Sequence, residues 1–299
     1  MDPLSEVLSV LKPRSYLSGG FRVGYRESIR FPAYEGIKCY AVLEGECRLQ
    51  LEGEAEPVVV RAGDCFLLPK GRPFVLTSDP AVAPVDFRDF LAELRSGKRL
   101  SCGGGCHFAG GHFLLAGGPA EILLGILPPV VHLQQDKDKE SIRWALQRMK
   151  EELDHPLPGG TLVAQQLAYL MLVQALRLHL TDGSRCGVGW LFALADEQMH
   201  AAIACMHEEP GRAWTVQSLA ARVGMSRTVF AERFKTTAGM TPMEYLTRWR
   251  MLVAGDRLRS TRDSIAEIAS SLGYESESAF GKAFKRVMGC SPRQYGRAG

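Results

Sequence analysis

TVQSLAARVGMSRTVFAERFKTTAGMTPMEYL (215–246) and SIAEIASSLGYESESAFGKAFKRVMGCSPRQYG (264–296) are two copies of one unit, and an internal repeat constrains a fold more than any single motif does. At a shift of 49 residues, Val216, Leu219, Ala220, Val223 and Gly224 match Ile265, Ile268, Ala269, Leu272 and Gly273. At a shift of 50, Ser226, Phe230, Phe234, Lys235, Gly239, Pro242 and Tyr245 match Ser276, Phe280, Phe284, Lys285, Gly289, Pro292 and Tyr295. The change of shift places one extra residue in the turn of the second copy.

Each copy reads as helix, tight turn, helix. Val216, Leu219, Ala220 and Val223 form an apolar stripe at helical spacing. Gly224 stops that helix, because glycine tolerates the left-handed conformation of the position after a helix end. Ser226 suits the N-cap of the next helix, which turns Phe230 and Phe234 inward and presents Arg227, Thr228, Ala231, Glu232 and Lys235 outward. In the second copy Ser276 takes the cap, and Glu277, Ser278, Gly281, Lys282 and Lys285 face outward. Short polar and basic side chains beside alanine or glycine let a helix sit deep in a DNA major groove. The helix starts at Thr215 and Ser264 are suited to a backbone phosphate.

Between the copies, MEYLTRWRMLVAGDRLRS (243–260) carries an apolar stripe of Tyr245, Leu246, Trp249, Leu252 and Val253. It predicts one connecting helix of about 16 residues, about 24 Å long. A strut of that size suits two probes set near the ~34 Å repeat of successive major-groove turns. Arg248 and Arg250, with Arg257 and Arg259, are candidate phosphate contacts; the alternative for each is a solvated basic face.

The stretch from about 196 to 299, through GMSRTVFAERF, EYLTRWRM and SIAEIASSLGYESESAFGKAFKRVMGCSPRQY, closely resembles the DNA-binding domain of AraC/XylS-family transcription regulators. The resemblance implies a bipartite domain with two recognition helices on one face of DNA, and activation through contact with RNA polymerase. One departure stands out. Two positions that often hold basic or amide base-readers in this family are Ala231 and Glu232 here. Glu232 either accepts from a cytosine amino group, faces solvent, or pairs with Arg233.

The N-terminal half changes period. PLSEVLSVL (3–11) spaces Leu4, Val7, Leu8 and Leu11 as a short amphipathic helix capped by Asp2. FRVGYR, IKCYAVL, CRLQLEG, PVVVRAG, CFLLPKG and PFVLTS, within 21–80, are short alternating runs broken by Gly, Pro, Glu and Asp, the pattern of an antiparallel barrel or sandwich. LEGE (43–46) and RAGDCFLLPKGRPF (61–74) resemble the small barrel called a cupin, and GGGCHFAGGHFLLAGGPAEILLGILPPVVHL (103–133) fits the cupin-type sensor subgroup of the same regulator family. The histidine cluster of metal-dependent cupins is missing: Tyr40 and Phe74 stand where the motif usually supplies histidines, and no His precedes His107. That leaves catalytic metal chemistry without ligands, so no cofactor and no enzyme activity are expected. The rival is a cupin-type metal enzyme fused to a regulatory DNA-binding tail. Cys102, Cys106, His107 and His112 are softer zinc-ligand types, but adjacent Cys106 and His107 would point to opposite faces of a strand, and the surrounding glycines suggest a loop or bulge. Metal or redox sensing there stays open beside plain packing. Tyr40, Phe66 and Phe74 would line an effector pocket, or equally fill the barrel.

ESIRWALQRMKEEL (140–153) places Ile142, Ala145, Leu146, Met149 and Leu153 on one helix face, and TLVAQQLAYLMLVQALRLHL (161–180) is apolar nearly all round. A helix that apolar needs cover on both flanks, so this pair predicts a two-fold homodimer; the alternative is that the chain itself buries it. DGSRCGVG (182–189) reads as a linker.

The 299-residue composition, 46% hydrophobic and 23% charged, excludes disordered and fibrous classes. No apolar run reaches the ~18 residues of a membrane span, and the N-terminus lacks the pattern of a signal peptide. The eight cysteines are expected as reduced thiols, with Cys39, Cys47 and Cys65 in the core. Residues 1–209 hold 21 Lys and Arg against 26 Asp and Glu, whereas 210–299 hold 15 against 7, the charge split of a nucleic-acid-binding tail. The sequence therefore predicts an α+β chain. A cupin-like sensor and dimer domain covers 1–182 (barrel about 15–135, helices 139–181), a linker 183–189, and a seven-helix double helix-turn-helix domain 190–299. The expected role is a cytoplasmic, homodimeric transcription regulator, an activator by family resemblance, that binds double-stranded DNA and answers a small-molecule or redox effector.

Overall fold

The computed structural model describes residues 2–12, 14–96, 105–114, 128–133, 144–145, 147–149, 151–152, 155, 157–181 and 189–297. They form two units, one within Arg14–Leu114 and Leu127–Asp182, the other within Met1–Pro13 and Gly183–Gly299. The linker predicted at 183–189 falls, apart from Gly189, outside the described residues, as does Cys102.

The first unit is a pair of five-stranded sheets. One has the order β1 (Arg14–Val23), β9 (Cys106–Leu114), β3 (Ile37–Glu44), β6 (Cys65–Leu68), β10 (Val131–Leu133). The other runs β5 (Val58–Arg61), β4 (Glu46–Leu51), β7 (Phe74–Thr77), β2 (Ser28–Phe31), β8 (Val85–Asp86). Period-2 alternation sets the faces: in β4, Cys47, Leu49 and Leu51 are buried while Glu46 and Arg48 are exposed. Helix α2 (Phe87–Arg95) adds Phe87 and Phe90 to the core.

The segment around Cys106 and His107, expected as a loop or bulge, is strand β9, paired antiparallel with both β1 and β3. Its glycines serve close packing rather than a turn. A Cβ on Gly110 would stand 2.0 Å from the Cys39 carbonyl oxygen, and one on Gly111 3.0 Å from the Ala168 Cβ. Ala168 belongs to α3 (Gly160–Thr181), which lies on the first sheet. That helix buries Ala164, Leu167, Ala168, Met171, Leu172, Ala175 and Leu176, a stripe at helical spacing. Leu162 stays 66% exposed and Val163 38%. Of the preceding predicted helix, the described residues within 144–152 are helical, with Ala145 and Met149 buried and Trp144 exposed.

The second unit is helical: α1 (Pro3–Leu11), α4 (Trp190–Ala193), α5 (Glu197–Glu208), α6 (Val216–Arg222), α7 (Arg227–Ala238), α8 (Pro242–Ser260), α9 (Ile265–Ser271), α10 (Glu277–Met288) and α11 (Pro292–Arg297). Helix α1 forms as the sequence predicts, with the Asp2 carboxylate accepting from the Ser5 N–H at 3.0 Å. It packs on α5 and α8 and is grouped with the helical unit. Leu4, Val7 and Leu8 are buried there. Helix α8 runs 19 residues, about 28 Å. It starts with a capping box between Thr241 and Glu244 and a proline in the first turn, the arrangement that satisfies the free N–H groups at a helix start.

One interior position breaks the apolar pattern. Lys38 on β3 is only 6% exposed. Its ammonium lies 4.8 Å from the ring centre of Phe31, 4.3 Å from that of Tyr34 and 5.0 Å from that of Phe74, and it has no ion-pair partner among the described residues. The ring faces attract the cation, but burial dominates and lowers its pKa to about 8. A lowered folded-state pKa means stability is lost as pH falls through 8 and restored toward 10.5. Lys38→Met should therefore stabilise the barrel by about 1–3 kcal/mol near pH 7, with the gap from wild type narrowing at pH 10. Urea denaturation at both pH values measures this, and a variant less stable than wild type at pH 7 contradicts it.

Candidate nucleic-acid interface

Helices α7 and α10, the second helices of the two repeats, are built the same way. In α7 the Ser226 hydroxyl accepts from the Val229 N–H at 3.3 Å, and Gly239 closes the helix at φ 75°. Phe230 and Phe234 are fully buried, their rings 5.7 Å apart. Arg227, Thr228, Glu232 and Lys235 are exposed and Ala231 is half-buried. In α10 the Ser276 hydroxyl accepts from the Ala279 N–H at 3.1 Å, and Gly289 closes the helix at φ 77°. Phe280 and Phe284 are buried, and Glu277, Ser278, Lys282 and Lys285 are exposed. A Cβ on Gly281 would meet nothing within 4 Å. A mid-helix glycine costs about 1 kcal/mol relative to alanine, and no packing among the described residues asks for it.

The helices before them, α6 and α9, open with capping boxes, Thr215 with Ser218 and Ser264 with Glu267. The Glu267 carboxyl is held below its ordinary pKa by the Ser264 N–H and hydroxyl. Both helices end in left-handed glycines, Gly224 and Gly273, where the repeat placed them.

The arginines divide sharply. Arg250, expected at a phosphate, is turned into the unit: its Nε donates to the Pro210 carbonyl at 2.6 Å and its Nη2 to the Arg212 carbonyl at 2.9 Å. Its guanidinium also lies 5.7 Å from the Tyr274 ring centre. Arg257 holds Asp263 at 2.7 Å and Ser271 at 2.5 Å, and Arg259 lies over the Tyr295 ring at 4.2 Å. Arg233 clamps Asp196 and Gln198, which removes it as a partner for Glu232. Among the described residues no ion pair engages Arg227, Lys235, Arg248, Lys282 or Lys285. Arg248 borders a cleft of about 610 Å³, with Thr241, Met243, Glu244, Thr247, Arg286 and Val287, between the first turns of α8 and the end of α10. Two features were not singled out from sequence: Arg286 in this cleft, and Val229, 52% exposed at the start of α7. The signal for Val229 was available, since it lies off the Phe230–Phe234 face.

In the N-terminal unit, Tyr40, Phe66 and Phe74 are buried in one core. Phe66 packs against Tyr40 at 5.8 Å and Phe108 at 6.2 Å, and Phe74 stacks on Phe31 at 4.4 Å. Of the two readings left open for these rings, the contacts fit the filled barrel. Cys106 is raised in pKa by its hydrogen bond to Cys47 and by burial, which keeps it a poor thiolate. His112 Nε2 lies 2.5 Å from the Glu35 carbonyl oxygen. Among the described residues no three His, Cys, Asp or Glu side chains converge as a metal site, and no helix is long and apolar enough to cross a membrane.

Comparison with known proteins adds the following. Residues 2–181 match a family described as a cupin, and residues 219–298 a family described as a helix-turn-helix domain. An AraC-like transcription regulator of Streptomyces lividans is 44% identical over 99% of this chain and 98% of its own length. One of Streptomyces antibioticus is 42% identical over the same shares. The crystal structure of the DNA-binding domain of AdpA in complex with a target DNA is 34% identical, covering 32% of this chain and 87% of that one, with a TM-score of 0.32.

Because Arg250 secures the 210–212 segment rather than facing outward, Arg250→Ala should lower stability by about 1–3 kcal/mol and leave the salt dependence of DNA affinity unchanged. Thermal denaturation together with a salt titration of binding tests this. A salt slope reduced by about one unit would instead make Arg250 a phosphate contact.

Proposed function

The chain belongs to the AraC-like family of transcription regulators, and from that premise we propose that it reads double-stranded DNA in two places at once, α7 and α10 entering successive major grooves. The observation that carries this is the repeated construction: two serine-capped helices, each with a buried phenylalanine pair and a free, partly basic outer face, joined by one continuous helix. In α7, Arg227, Thr228, Ala231, Glu232 and Lys235 form the reading face; in α10, Glu277, Ser278, Gly281, Lys282 and Lys285 do. Ser226 and Ser276 set the helix starts, whose N–H groups suit phosphate. Small Ala231 and Gly281 admit the groove wall. Lys282 reads a guanine edge, Glu232 accepts from a cytosine amino group, and exposed Val229 meets a thymine methyl. Arg248 supplies salt-dependent backbone affinity.

The remaining parts of the function rest on family membership and on the N-terminal unit. The protein acts as an activator that contacts RNA polymerase in the cytoplasm, and its cupin domain receives the signal. It works as a homodimer. Support for the dimer is the exposure of the large apolar side chains of Trp144, Leu157, Leu162 and Val163, since apolar surface left open to water favours a partner.

An operator recovered by selection from random duplexes tests the proposal. Footprinting should protect two adjacent turns on one face of the duplex. Lys282→Ala should cost about 1–3 kcal/mol and relax preference at one base position. Protection of one turn, or equal affinity for every sequence, refutes it.

A further inference from the structure

The helix at the extreme N-terminus is joined to the DNA-binding unit by a buried polar chain. The His207 side chain on α5 is fully buried. Its Nδ1 lies 2.9 Å from the Glu6 carboxylate of α1, and its Nε2 lies 2.8 Å from the Tyr245 hydroxyl of α8. The imidazole stacks on Trp249 of α8 at 3.8 Å and 12°. Burial drives its pKa down to about 3, so the ring is neutral: Nδ1–H donates to Glu6 and Nε2 accepts from Tyr245. Six residues further on from Glu6, Lys12 pairs with Asp256 of α8 at 2.5 Å. Helix α1 is thus fixed to α8 at Tyr245 and Trp249 through His207, and again at Asp256, 11 residues beyond Tyr245. Of the recognition helices, neither α7 nor α10 is among the elements on which α1 chiefly packs, so α1 does not act by covering the reading faces.

We propose that α1 is a positioning brace for the two-site reader: through Glu6–His207–Tyr245 and Lys12–Asp256 it holds α8 in the geometry that sets α7 and α10 at a fixed separation. The physical basis is multivalency. When two reading helices share one rigid frame, binding of the first presents the second at high local concentration, and a looser frame reduces that concentration with no base contact changed. Only Lys12 and Pro13 separate α1 from the first barrel strand. A sensor signal that moves that strand therefore has a covalent route to the brace, an extension that rests on the N-terminal unit being the sensor.

The test uses the full chain and the selected operator, both whole and cut into single half-sites. Val7→Asp places a charge in the buried α1 face, Glu6→Leu removes the acceptor for His207, and Glu6→Gln keeps one. Val7→Asp and Glu6→Leu should weaken whole-operator binding by about tenfold or more, a loss of about 1.4 kcal/mol, and leave half-site binding within about twofold. Glu6→Gln should restore near wild-type binding. Hydrogen exchange over residues 3–11 reports whether α1 has come away, and exchange over α7 and α10 confirms that these helices stay folded. Unchanged whole-operator affinity with α1 released, or equal losses on whole and half sites with α7 and α10 intact, overturns the brace. If wild type itself binds whole and half sites alike, it is the two-site reading that fails.

Discussion

A single helix belongs to two hydrophobic cores, and the rest of the DNA-reading unit depends on that sharing. The first half of α8 buries Tyr245, Leu246 and Trp249, with Tyr245 edge-on to Phe234 of α7 at 5.8 Å. Its second half buries Met251 and Ala254 among Ile268, Leu272, Phe280, Phe284 and Tyr295. Helices α7 and α10 are each seated on their own phenylalanine pair, and both pairs rest against one rod. Gly255 marks how close the second core comes, since a Cβ there would lie 2.9 Å from Met288 and 3.1 Å from the Tyr295 ring. Close-packed interiors transmit displacement rather than absorb it, so the separation of α7 and α10 is a property of α8 and its contacts.

Charge follows the same division between frame and face. Arg233, Arg250 and Arg257 fasten segments of the unit to one another through Asp196, the Pro210 and Arg212 carbonyls, and Asp263. Arg227, Lys235, Lys282 and Lys285 stay on the outer faces. A basic tail domain is therefore a mixed signal: part of its excess charge is internal mortar, and the rest is available to phosphates and bases.

The sequence made the helical unit legible because its devices are local. Serine caps, the left-handed glycines Gly224 and Gly273, the Thr241–Pro242 start and the paired phenylalanines each act within a few residues, and each sits where the repeat put it. What stayed hidden depends on contacts across long separations. Arg250 finds its acceptors 40 and 38 residues away, and Glu6 meets His207 across 201. No periodicity carries that information. In the barrel, alternation gave the strands, but the Gly110–Gly111 pair resembled a loop, because its reason is the nearness of the Cys39 carbonyl and Ala168. The aromatic residues Tyr40, Phe66 and Phe74 admitted both a lined pocket and a packed interior, and only their mutual ring contacts distinguish the two.

A fixed spacing and phase of two DNA probes on α8 would make binding depend on the phase of the DNA itself. Five base pairs inserted between the two half-sites turn one of them about half a helical turn away from its probe. Whole-operator affinity should then fall to that of a single half-site. Undiminished affinity after the insertion would contradict it.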